Sequence, residues 1–126
     1  MTTYDPDTPP SPSDWLELDE SLRLLLVTDY HKGSDVPDSR LRLHAAIHVV
    51  VENQIALGEE VVVDALARLQ REGLSRHEAI HAIGTAVSGH LFEILKNDVD
   101  DENKPPPTYM DRVKRLTAES WRKTGG

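Results

Sequence analysis

The sequence predicts an all-α protein, a compact bundle of four to five helices with a disordered or extended N-terminal tail. Three observations carry this. Apolar residues recur at three- and four-residue intervals through five segments, and no segment sustains the alternation of a half-buried strand. Cap and stop residues punctuate those segments at helix-length spacing. The valine runs at 49–51 and 61–63, β-prone in isolation, lie inside longer helical patterns.

Residues 1–12 carry Pro6, Pro9, Pro10 and Pro12 and read as a disordered Pro-rich tail. Ser13 caps a first helix, with Asp14 and Glu17 favourable against its dipole. Trp15, Leu18, Leu22, Leu25 and Leu26 follow at helical spacing, and His31-Lys32-Gly33 is a cation-then-glycine stop. His31 reads as no more than that helix-end cation. Pro37, with Asp38 or Ser39 as cap, opens a second helix that runs to Leu57-Gly58. Glu59 to Glu72 forms a third, with Val62, Ala65, Leu66 and Leu69 inward and Gly73 as its stop. Ser75 caps a fourth, extending to Lys96-Asn97, with the stripe Ile80, Ile83, Val87, Leu91 and Ile94. Thr108 caps a last amphipathic helix carrying Met110, Val113, Leu116 and Trp121. The expected organisation is a tail over 1–12, a helical metal-binding domain over 13–97, an acidic and Pro-rich linker over 98–107, and a C-terminal helix over 108–124.

Composition narrows the function. A net charge of -8 argues against a nucleic-acid grip, since binding phosphates needs a basic face. No run approaches the roughly 18 apolar residues of a membrane span. The N-terminus is polar and Pro-rich rather than basic then apolar, so it is not a secretory signal and a cytoplasmic location is expected. There is no cysteine, so any metal must be held by imidazole and carboxylate.

Four of the six histidines fall in two segments with one spacing. In the second helix His44, His48 and Glu52 follow at four-residue intervals. At about 100° per residue, Leu41, His44, Ile47, His48, Val51 and Ile55 share one stripe with Glu52 on its margin. Two imidazoles in a buried stripe need partners. The fourth helix opens with His77-Glu78-Ala79-Ile80-His81, whose histidines lie on one helix face and can reach one ion. If the two helices meet, His44, His48, His77 and His81 make one metal centre, with Glu52 as an outer partner or alternative ligand. Ser75-x-x-Glu78 also fits a capping box, so Glu78 has a structural role beside a catalytic one. Gly84 weakens a helix, and a close helix crossing beside the site would account for it. His90 reads as a surface residue.

His77-Glu78-x-x-His81 resembles the zincin metallopeptidase motif, which implies zinc, two histidine ligands and Glu78 as general base on metal-bound water. The chain departs from that family downstream, where Val87 occupies the third-ligand position of the metzincin extension. The wider pattern is His44-x-x-x-His48-x-x-x-Glu52-x-Gln54, followed by Gly73-Leu74-x-Arg76-His77-Glu78-x-Ile80-His81-Ala82-Ile83-Gly84. It is similar to a bacterial family of small proteins of unknown function, over residues 40 to 96, and implies no activity.

The leading expectation is a metal-binding helical protein acting as a zinc-dependent hydrolase on an unknown substrate. Three imidazoles would hold the ion and leave a position for water. One alternative is a dinuclear iron or manganese oxidoreductase, since Glu78-x-x-His81 is the Glu-x-x-His unit of di-metal bundles. Another is a non-enzymatic interaction module stapled by four imidazoles. A fourth reading has no metal, with the histidines paired to Glu52 and Glu78. The apolar stripe leaves room for a homodimer; neither nucleic acid nor membrane is an expected partner.

Overall fold

A computed structural model describes residues 1, 3–32, 36–96 and 109–124, with the backbone alone at 38 and 90–96. The expected linker at 98–107 and the side chain of His90 lie outside the described residues. The described chain is all-α, as its periodicity predicts. Seven helices run α1 Pro12–Glu17, α2 Glu20–His31, α3 Asp38–Ala56, α4 Glu60–Arg71, α5 Arg76–Lys96, α6 Tyr109–Arg115 and α7 Ala118–Lys123. None of the described helices is long and apolar enough to cross a membrane.

Two expected helices are each divided. The first breaks at Leu18 and Asp19, both in extended conformation, so α1 and α2 meet at a corner. Arg23 holds that corner by donating to the carbonyls of Trp15 and Leu16. The last breaks between α6 and α7, where Thr117 and Ser120 form a reciprocal capping box. The Arg68 guanidinium reaches across from α4 to the carbonyls of Val113 and Leu116 that this break exposes. In both places a side chain satisfies backbone groups that a continuous helix would have paired internally.

Helix α3 is the centre of the molecule because it is apolar on two sides. Ala45 and Val49 pack with Trp15, Leu26, Val27 and Tyr4 in one cluster. Val51 joins the larger cluster formed by Val62, Ala65 and Leu69 of α4, Ile80 and Ile83 of α5, Val113 of α6 and Trp121 of α7. Gly58 and Gly73 close α3 and α4 with positive φ values of 75° and 105°, which a side chain would resist. Gly84 sits where α5 meets α3, and a Cβ there would stand 2.9 Å from Ile47 Cγ2. The crossing is therefore as close as the glycine suggests.

The described residues of the N-terminal segment form no helix before α1, yet they pack against the rest of the protein. Tyr4 is 5% exposed. The Pro6 carbonyl accepts from Arg76 Nη1 at 2.8 Å, and Asp7 Oδ1 accepts from the His77 amide at 3.0 Å. A proline-rich stretch has little internal pairing to lose, so a few strong contacts to α5 hold it in place.

Candidate metal centre

Three helices bring five imidazoles together. His31 is the last residue of α2, His44 and His48 lie one turn apart on α3, and His77 and His81 lie one turn apart on α5. Nine of the ten ring pairs have centroids 4.3 to 6.2 Å apart, so this is one cluster rather than two pairs. One ligand atom each from His31, His44, His48 and His81 lies within 4.8 Å of every other. Such a cluster can bind a metal ion. Around zinc, four nitrogens at about 2.0–2.1 Å stand about 3.3 Å from one another, so closure requires small ring movements only.

The outward hydrogen bonds orient these rings. His31 Nδ1 lies 2.8 Å from the Val27 carbonyl, which only accepts; Nδ1 therefore carries the proton and Nε2 the lone pair. Tyr4 donates to Glu52 Oε2 at 2.5 Å, so its oxygen is left to accept from His48 Nδ1 at 3.1 Å. That leaves the His48 Nε2 lone pair, buried and without a hydrogen-bond partner, for the cluster. His44 Nε2 and His81 Nε2 stand 3.1 Å apart. His77 Nε2 is likewise buried without a hydrogen-bond partner. Outer acceptors that fix an imidazole tautomer are what metal-binding histidines require.

Burial also favours the neutral form of His44, His48, His77 and His81. It depresses His81 to about 3, with the neighbouring imidazoles His77, His44 and His31 adding to the effect. His48 is pushed far below the ordinary histidine range by burial and then by His81. His44 and His77 are lowered, again by burial first. Neutral imidazole is the form in which histidine ligates a metal ion.

Glu52 is 1% exposed and lies beyond the imidazoles. Its two oxygens accept from Arg76 Nη1 and Nη2 at 2.9 and 2.8 Å, a bidentate pair. Burial works against the charge on Arg76, but the Glu52 hydrogen bonds and charge hold the guanidinium above its ordinary pKa. Burial, reinforced by the Glu52 charge, raises Tyr4, which stays a hydrogen-bond donor. Glu52 thus acts on the cluster through Tyr4 and His48.

Glu78 is exposed, and its Oε1 accepts from the Ser75 amide at 3.0 Å while the Glu78 amide donates to Ser75 Oγ at 3.0 Å. These are the two bonds of the capping box. Replacing Glu78 with Ala is expected to cost about 1 kcal/mol in urea unfolding, as cap losses do, and to leave metal content unchanged. Loss of bound metal in that variant would instead put Glu78 among the ligands.

Sequence reasoning missed His31, Tyr4 and Arg76. The connection between α2 and α3 is short, which keeps residue 31 near the first turns of α3; that was the available signal. Tyr4 lies 44 residues from His48, and no spacing rule reaches it. A cleft of about 230 Å³ opens beside His44, His48 and His81, walled by Ile47, Ile80 and Trp121. No family model, curated protein or solved structure matches the chain.

Proposed function

We infer that this protein binds one divalent transition-metal ion, zinc first among them, in a cage of imidazole nitrogens. The observation that supports this best is the set of four histidine ligand atoms within 4.8 Å of one another, two of them on rings whose outer nitrogens are already committed. Imidazole is a donor for zinc, copper, nickel and iron, and the chain has no thiolate to change that choice. A dinuclear iron or manganese centre draws on carboxylates. Here Glu52 is taken up by Arg76 and Tyr4, which favours a single ion.

The hydrolase reading takes its support from the spacing of His77, Glu78 and His81. Holding the metal is the stronger reading, because the Glu78 carboxylate is engaged at the helix cap. The deciding experiment is elemental analysis of untagged protein beside a His48→Ala, His81→Ala double variant. Equilibrium with zinc should load about one ion per chain, as a mononuclear site requires, and the double variant should load none. Circular dichroism confirms that the variant is folded. Two ions per chain would favour the dinuclear alternative, and none after reconstitution would refute metal binding.

A further inference from the structure

We propose that the cleft beside His44 and His81 is a binding site for a small monoanion with an apolar body, a short-chain monocarboxylate in class, whose charged end meets the bound ion. The inference rests on the metal reading above and concerns what else the ion holds.

The argument is one of charge. Neutral imidazoles leave a divalent ion with its full charge, and burying an uncompensated charge is costly. The carboxylate nearest the cluster in the core, Glu52, is already neutralised by Arg76. Asp5, Asp7 and Glu78 act on His77 through their charge, but they are exposed and none of them lines the cleft. Among the residues that line it, His44, His48 and His81 are the ionisable ones. Among the described residues no carboxylate meets the cleft, so an anion that enters from outside would supply the compensation. Zinc can expand to five ligands to accept one.

The cleft says what kind of anion. Beyond the imidazoles its walls are Ile47, Ile80 and Trp121, and Gly84 adds no side chain. Hydroxyls of Thr85 and Ser88, both exposed, sit along the same face of α5 one and two turns beyond His81. A volume of about 230 Å³ holds roughly seven or eight groups of water size, each about 30 Å³. That suits a carboxylate carrying three or four carbons, whereas a peptide or a nucleotide would extend out of it.

The test uses full-length protein loaded with cobalt(II), whose visible absorption reports its ligands. Cobalt content is read first. Sodium butyrate is then titrated, beside butyramide and butylamine as neutral and cationic probes of the same length. The expected result is a saturable spectral change with butyrate and none with butylamine. Thr85→Asp, which places a carboxylate in the cleft one turn from His81, should weaken butyrate at least tenfold, with the cobalt retained. Ser88→Phe, which fills the outer end, should do the same by bulk.

A cobalt-loaded protein whose spectrum ignores butyrate overturns the proposal while leaving the metal reading intact. Equal responses to butyrate and butyramide overturn the charge argument. Full butyrate affinity in both variants overturns the location. Failure to load cobalt overturns the metal reading, and the cleft assignment with it.

Discussion

Between pH 7.5 and 5 the metal-free protein is expected to lose several kcal/mol of stability, in a range where carboxylates scarcely titrate. An imidazole in the unfolded chain binds its proton near 6.5. In the folded chain His81 does so only at about 3, and His48 lower still. In that interval the unfolded state holds more protons than the folded state. Stability therefore rises with pH across it and falls on acidification. The contribution is present in full above the unfolded value and is lost as pH drops toward the folded ones. His48, 2% exposed, contributes about 1.4 kcal/mol per pH unit, or about 2 kcal/mol from pH 6.5 to 5. His44 and His77 are more exposed and add less.

Urea midpoints at pH 7.5, 6.5, 5.5 and 5 measure this directly, with the slope m as the check that unfolding stays two-state. Replacing His48 with Gln removes one titrating ring and should flatten the profile. Zinc in large excess over its dissociation constant, about a thousandfold, should add about 4 kcal/mol near neutrality. The gain shrinks on acidification, because protons compete for the same nitrogens. A flat profile between pH 7 and 5 would mean that the rings protonate freely when folded, which their burial forbids.

How far the fold could be read from the chain follows from the range of each signal. Helices α3, α4 and α5 were legible within a residue or two, because glycines or caps mark their ends and apolar spacing marks their faces. Corners at Leu18-Asp19 and Leu116-Thr117 were not, since the apolar pattern runs through both and only tertiary donors, Arg23 and Arg68, favour the break. The approach of α3 to α5 was legible at Gly84. His31 looked like a helix-end cation because its own helix offers no reason for burial; its partners come from α3 and α5. Arg76 stood in the sequence only as one member of the pattern over residues 73–84, yet at 5% exposure it joins Glu52 and the N-terminal segment.

That buried network carries the second large effect, and it separates stability from metal affinity. Replacing Arg76 with Met leaves the Glu52 carboxylate buried without its cation, and replacing Glu52 with Leu strands the guanidinium. Either change is expected to cost about 3–5 kcal/mol in urea unfolding of the metal-free protein. That is much of the roughly 5–15 kcal/mol a domain of this kind possesses. The double variant removes both charges, fills the space with apolar groups, and should recover most of the loss.

Metal affinity should not recover with it. Without Glu52 the Tyr4 hydroxyl has lost its acceptor, and it turns to donate to His48 Nδ1 instead. The ring then carries its proton on Nε2, the nitrogen that faces the cluster. Loss of such an outer partner weakens a metal site about 10- to 100-fold. Competition with a chromophoric chelator on the double variant, compared with Tyr4→Phe, reads this separately from the unfolding curve. A double variant as unstable as either single one would mean the pair is not the unit described. One that binds zinc as tightly as the parent would mean that Glu52 and Tyr4 hold the fold together without orienting His48.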